Sequence, residues 1–373
     1  MSKKYTGKQV IKAGEKLLDD GIIDRHQEFE HAMDVLSYWR FSHEVPLGEA
    51  FKAIQDVILE IDKQAIFAKR LKRHISIVNK LKRFNKMKLK NMQDIGGCRA
   101  ILSSSKKLTQ VVRVLKKKRE FKGSEGKIKS KDYINHPKDD GYRGYHLVGQ
   151  FRDELGEMKN IEVQLRTALQ HYWATALEIV DIFTGQALKS NQGNEDWKVF
   201  FRVVSEQFAV MENIHLFKVD DIRKQKEYFE KVKESPSVMG SCVATQKYSK
   251  KLEVVKKLEA FAHSVKIVGD LLEKSSVDSY VLIEVDTLKC TVTRCLFNSE
   301  ENQKAETKYI EAEKIAAANN SLVVALVAAT KVGGIKNAFP NYFADSTEFL
   351  KHLLIVTDAP IEKNKGFLAK IFG

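Results

Sequence analysis

DYINHPKDDGYRGYHLVGQF, residues 132–151, changes character halfway along. Its first part crowds Lys138, Tyr142, Arg143, Tyr145 and His146 around Gly141 and Gly144. A turn needs glycine or proline to set its backbone, but it has no use for such a density of cations and rings, so the expected guest is anionic and flat. The second part, YHLVGQF, reads as a strand, and NIEVQLR (160–166) reads as its hairpin partner across the turn-like DELGEMK. Alternation sends Ile161, Val163 and Leu165 to one face of the sheet and Glu162, Gln164 and Arg166 to the other. With the apolar set in the core, Glu162 faces a cleft.

Working upstream, CRAIL (98–102) follows the Gly96-Gly97 punctuation and reads as a third strand, with a helix after it over KLTQVVRVLKKK. Asp94 sits just before that strand, so two carboxylates from neighbouring strands are placed to converge on one divalent cation, the hard-oxygen arrangement that suits Mg²⁺. Residues 28–61 read as mostly helix, with Phe51, Ile54, Ile58 and Ile61 three or four apart. The segment IFAKRLKRHISIVNKLKRF (66–84) puts Phe67, Leu71, Ile75, Val78 and Leu81 on one helical stripe and Arg70 on a basic face. Downstream, helices run to about residue 235 with a polar interruption at 185–196. SPSVMGS (235–241) gathers Pro, Gly and three serines and reads as a domain boundary. The expected organisation is therefore a domain over 1–235, a small α+β unit over 245–360 containing YVLIEVD, CTVTRCLF and SLVVALVAA as strands, and a tail over 361–373.

The chain has 373 residues, 43% apolar, with 63 Lys and Arg against 49 acids and a formal charge of +14. That favours a polyanionic partner. Residues 63–90 hold eleven Lys or Arg and no acid, and eight more lie between 106 and 122 against Glu120 alone, although solvated helix faces also collect lysines. The four cysteines show no CxxC pair and no zinc spacing, and LVVALVAA (322–329) is too short to span a bilayer, so a soluble, cytoplasmic chain with no membrane contact is expected. Trp39, His43, His171 and Trp173 are assigned mainly to packing.

In order, MQDIGGCRAI, KSKDYINHPKDDGYRGYHL and IEVQLRT resemble the three core motifs of the RelA/SpoT synthetase domain, over residues 28–215. The resemblance implies a mixed-sheet, nucleotidyltransferase-like synthetase fold flanked by helices, within an α+β class. It also implies an enzyme that moves the β,γ-pyrophosphate of ATP onto a ribose 3′-hydroxyl with Mg²⁺. By the family pattern, Arg70 and Arg99 sandwich adenine, Asp94 and Glu162 share the metal, and Glu162 activates the attacking hydroxyl. Lys131, Lys138, Arg143 and His146 grip phosphates, Gln164 and Arg166 line the same cleft face, and Tyr142 stacks on the acceptor's base. No Walker A loop is present to do this with backbone amides.

Alarmone makers of the family show NGYRS where this chain has DDGYRG. Asp140 in place of Asn tilts the acceptor from a guanine nucleotide towards the 3′-terminal adenosine of tRNA, a polyanion that also employs the basic runs. The C-terminal stretch VGGIKNAFPNYFADSTEFL is similar to the antitoxin region of fused toxin and antitoxin proteins of the CapRel type. That similarity implies Phe339 and Tyr342 as autoinhibitory aromatics, and release by a phage protein, a capsid subunit in the best case. The alternatives are a (p)ppGpp synthetase with an allosteric C-terminal domain, and a catalytically silent nucleic-acid-binding regulator.

Overall fold

The computed structural model describes residues 5–123, 126–184, 194–259, 279–286, 291–298, 301–318, 322–329 and 347–360. Three N-terminal helices, α1 (Gly7–Lys16), α2 (His26–Phe41) and α3 (Glu44–Ile61), precede β1 (Ile66–Leu71) and α4 (His74–Arg83). Then come β2 (Gly96–Leu102), α5 (Ser105–Leu115), β3 (Ser130–Asp132), β4 (Tyr145–Arg152) and β5 (Met158–Thr167). The sheet order is β1-β2-β5-β4-β3, with β2 and β5 parallel and every other pair antiparallel, so the sheet is mixed. The expected β4–β5 hairpin is present, its turn using Gly156 at φ +77.

Alternation decides which face is core. Ile161, Val163 and Leu165 of β5, Cys98 and Ala100 of β2 and Leu147 of β4 are buried against Ala50, Ile54 and Ile58 of α3 and Val111 and Leu115 of α5. Each such fully buried aliphatic side chain contributes roughly 1.5–3 kcal/mol. Glu162, Gln164 and Arg166 point to the opposite face, as the period of two requires.

Residues 66–84 correct the expectation of one helix. The first six form the edge strand β1, paired Arg70 with Gly97 and Ala68 with Arg99, and only His74–Arg83 is helical. The stripe Phe67-Leu71-Ile75 fitted a helical period, but the open edge of β2 offered a ladder of backbone hydrogen bonds, and tertiary pairing prevailed over local pattern. Ile77 and Leu81 bury the remaining stripe beside α1 and α2.

SPSVMGS is a second correction. Pro236 occupies the first position of a helix, where its missing N–H costs nothing, and the segment opens α9 (Pro236–Lys251) instead of a linker. The helices α6 (Ala168–Thr184), α7 (Glu195–Glu212), α8 (Ile222–Glu234) and α9 share one core with α11 (Thr347–Thr357), which lies far along the chain. Phe349 and Leu353 of α11 are fully buried there, and Gln246 donates to the carbonyls of Val356 and Ala359 at 3.1 Å each. A three-stranded antiparallel sheet, β7 (Thr291–Asn298), β6 (Ser279–Asp286) and β8 (Leu322–Ala329), packs instead on α10 (Asn302–Ala318). Among the described residues, no helix is long and apolar enough to cross a membrane.

Candidate active site

The parallel register of β2 and β5 sets Gly97 beside Glu162 and Arg99 beside Gln164, and the antiparallel register of β4 sets His146 beside Gln164. Residues directly abreast share a face, so Arg70, Arg99, Glu162, Gln164, Arg166 and His146 crowd onto the side away from the core. Lys131 on β3 is abreast of His146 at the rim.

Four of these side chains, with Tyr142, close a hydrogen-bonded ring. Arg166 donates to the Tyr142 hydroxyl at 2.9 and 3.2 Å, and that hydroxyl meets His146 Nε2 at 2.6 Å. His146 Nδ1 lies 3.1 Å from Glu162, the Gln164 amide donates to Glu162 at 2.7 Å, and Arg166 donates to Gln164 Oε1 at 3.2 Å. Every group is satisfied at once when Tyr142 O–H donates to Nε2 and Nδ1–H donates to the carboxylate, which makes His146 the neutral tautomer. Burial lowers the His146 imidazole, in keeping with that state. Burial alone would raise the Glu162 carboxyl, but the bonds from His146 and Gln164 outweigh it and hold the group well below the usual range. Glu162 is therefore an ionised, oriented carboxylate.

Asp94 is gripped by Lys72 at 2.9 Å and Lys80 at 2.8 Å. Burial raises its carboxyl, the two lysines more than offset that, and the charge of Glu162 acts on it as well. The two acids thus lie in one electrostatic neighbourhood, each with its own donors. Among the described residues no group of three His, Cys, Asp or Glu side chains gathers to hold a metal. A hard cation placed here would take oxygens from these two carboxylates and the rest from substrate phosphates and water, and the donor set fits that use. Lys72 and Lys80 were not anticipated; they are lost in a run of lysines, and only the fold of β1 and α4 aims them at Asp94.

Arg99 is packed between like charges. Burial first, then Arg166 and Arg70, push its guanidinium down to about 9, and its Nε is buried with no hydrogen-bond partner. Lys138 spans the rings of Tyr133 and Tyr142, 4.7 Å from each centroid, and Arg166 lies 5.0 Å from the Tyr142 ring. A base stacking on Tyr142 would have to displace one of these cations. Two expected residues are used otherwise. Asp140 caps the loop, accepting from the Tyr142 N–H at 2.8 Å, and Arg143 donates to the Ile134 carbonyl and lines a small cavity with Trp173 and Glu212. Phe339 and Tyr342 lie outside the described residues. Trp39, His43 and Trp173 are buried, whereas His171 of α6 faces Arg99 and Arg166.

The loop owes its shape to Gly141, whose φ is +89 and whose carbonyl accepts from Ser205 at 2.5 Å. A Cβ there would sit 2.8 Å from Arg202 Cα, so glycine is required by both conformation and space.

Residues 69–179 match the family described as the region found in RelA / SpoT proteins. The resemblance carried by the three motifs holds over that part of the chain. GTP pyrophosphokinase YwaC of Bacillus subtilis (strain 168) is 36% identical over 114 residues, which is 28% of this chain and 52% of that protein. The chain thus spans about half the length of the curated relative it matches. The small alarmone synthetase 1 from Bacillus subtilis bound to its product pppGpp is similar at 23% identity, covering 47% of this chain and 92% of that one, with a TM-score of 0.40. A GTP pyrophosphokinase family protein from Streptococcus pneumoniae is similar at 22% identity, covering 51% and 95%, with a TM-score of 0.39.

Proposed function

We propose that this chain is a pyrophosphokinase that takes ATP as donor and places its β,γ-pyrophosphate on a 3′-hydroxyl. The observation that carries the reading is the ring of Arg166, Tyr142, His146, Glu162 and Gln164, which fixes an ionised carboxylate on a face crowded with cations. Glu162 accepts the proton of the hydroxyl as its oxygen bonds to the β-phosphorus, the bond from that phosphorus to the α-phosphate oxygen breaks and AMP leaves, while Lys138, Lys131 and Arg166 offset the negative charge of the phosphates. Arg70 and Arg99 flank the donor base, where guanidinium planes suit a π face. Magnesium, held by Asp94 and Glu162, would supply further neutralisation of the phosphate oxygens.

For the acceptor we infer the 3′-terminal adenosine of tRNA. Support comes from exposed cations such as Lys86, Lys90, Arg113, Lys117 and Lys118, although Lys72, Lys80, Lys82, Lys88 and Lys107 of the same runs are engaged by acids of the chain. The second reading is a guanine nucleotide acceptor, favoured by the name of the 36% identical relative. The Asp140 substitution weighs less against it than the sequence suggests, because that carboxylate serves the loop's own backbone. Incubating the protein with γ-labelled ATP and either bulk tRNA or GDP separates the two: label on tRNA is the expected result, and label only in a guanosine polyphosphate selects the second.

Regulation belongs to the same proposal. Phe339 and Tyr342 hold the enzyme off, and a phage structural protein, such as a capsid subunit, releases it by preferring the open form. In the full chain, F339A with Y342A raises transfer in the absence of any trigger; unaltered transfer removes the autoinhibitory role.

A further inference from the structure

We propose that His171 and Thr175 on α6, with the Nε of Arg99, form an edge-reading site for a purine base that carries a 6-amino group. The assignment rests on a nucleoside triphosphate such as ATP being the donor, and it adds residues that recognise the base edge to those that flank its faces.

Among the described residues, four buried side-chain polar atoms have no hydrogen-bond partner: Trp39 Nε1, Arg99 Nε, His171 Nδ1 and Thr175 Oγ1. Two of them, on His171 and Thr175, lie one turn apart on α6, and a third, on Arg99, belongs to a guanidinium whose charge acts on His171. His171, Thr175 and Glu178 recur at spacings of four and three, so they share one face of α6. That face looks onto the sheet, because the charges of Arg99 and Arg166 act on His171 and that of Glu178 acts on Arg99. A buried polar atom without a partner is costly, and such atoms clustered on one side of a site form a demand that a ligand of matching edge would meet.

The surroundings say what kind of ligand. Arg70 and Arg99 are diagonal neighbours on one sheet face, with the small residues Gly97 and Ala68 at the other two corners, and an added Cβ at Gly97 would meet nothing closer than the Glu162 carbonyl at 3.8 Å. A flat ring system fits over that bare backbone. A phosphate does not suit the α6 side of the site, since Glu178 is an acid and burial, then Arg99 and Arg166, keep His171 well on the neutral side. Thr175 and Glu178 offer acceptors to an exocyclic amine, and Arg99 Nε–H offers a donor to a ring nitrogen. A 6-oxo group would instead point its lone pairs at acceptors.

Equilibrium binding to the full chain tests this, comparing ATP with purine riboside triphosphate, which lacks the 6-amino group. One such hydrogen bond corresponds to roughly a tenfold preference for ATP in the unaltered protein. T175V and H171F bring the two ligands to within about twofold of each other, and denaturant midpoints close to that of the unaltered protein show that the variants are folded. T175S keeps the preference. A preference that persists in both T175V and H171F overturns the assignment, the atoms then serving internal water. If the protein transfers pyrophosphate from ATP but shows no preference at all, the edge-reading site falls and the enzymatic reading stands; if it binds no nucleoside triphosphate, both fall.

Discussion

At the scale of single residues, the proposed transfer depends on Glu162 being both charged and aimed. Gln at this position keeps the shape but removes the charge that receives the proton, so E162Q is expected to lower pyrophosphate transfer by ~10²–10⁴-fold with ATP affinity near normal. Measuring transfer and equilibrium ATP binding side by side checks this, and retained transfer would contradict it. Gly141 is a residue whose identity is set by its backbone conformation and by the space around it. G141A forces a side chain into a left-handed conformation and against Arg202, for a cost of about 2–3 kcal/mol, read as a lower urea midpoint for unfolding. What the sequence made legible is the face that Glu162 occupies, from alternation along NIEVQLR, and a glycine-shaped loop at Gly141; the proton-accepting role of Glu162 is what the family resemblance implies.

At the scale of elements, the contact between α2 and α10 couples distant parts of the chain. Arg40, 1% exposed, forms a buried ion pair with Glu313, donates to the Tyr309 hydroxyl at 2.5 Å and donates through Nε to the Lys72 carbonyl at 2.8 Å. The Lys72 side chain in turn grips Asp94. Glu313 also accepts from the His74 N–H at 3.2 Å, so α10 braces the start of α4, whose Lys80 grips Asp94 as well. E313A strands a buried guanidinium and is expected to destabilise the protein by ~3–5 kcal/mol, whereas R40M combined with E313L recovers most of that loss, both read from denaturant unfolding. None of this pairing was visible in sequence, because residues 40 and 313 carry no local pattern that links them.

At the scale of the whole molecule, the described parts are joined by contacts that titrate. Burial, then the charge of Glu44 at the start of α3, push Glu306 of α10 up to about 7. A carboxyl raised in the folded state holds its proton there while the unfolded chain has already released it. Stability therefore falls as pH rises from about 4.5 towards 7 and levels off above, and E306Q flattens that part of the profile. Unfolding midpoints across pH 4–8 check the sign; a slope unchanged in E306Q refutes the assignment. The same scale explains why α11 was misplaced in the expected organisation. Its apolar face is complete only against α6, α7 and α9, so the long-range core governs where it packs.

The sequence by itself determined three strands of the mixed sheet, β2, β4 and β5, the face that Glu162 occupies and the glycine loop, because alternation and turn chemistry act between near neighbours. Only the tertiary structure decided that residues 66–71 form an edge strand, that Lys72 and Lys80 hold Asp94, and that α10 locks onto Arg40. Those outcomes depend on which groups meet after the chain closes on itself, where pairing and burial are decided by partners tens to hundreds of residues away.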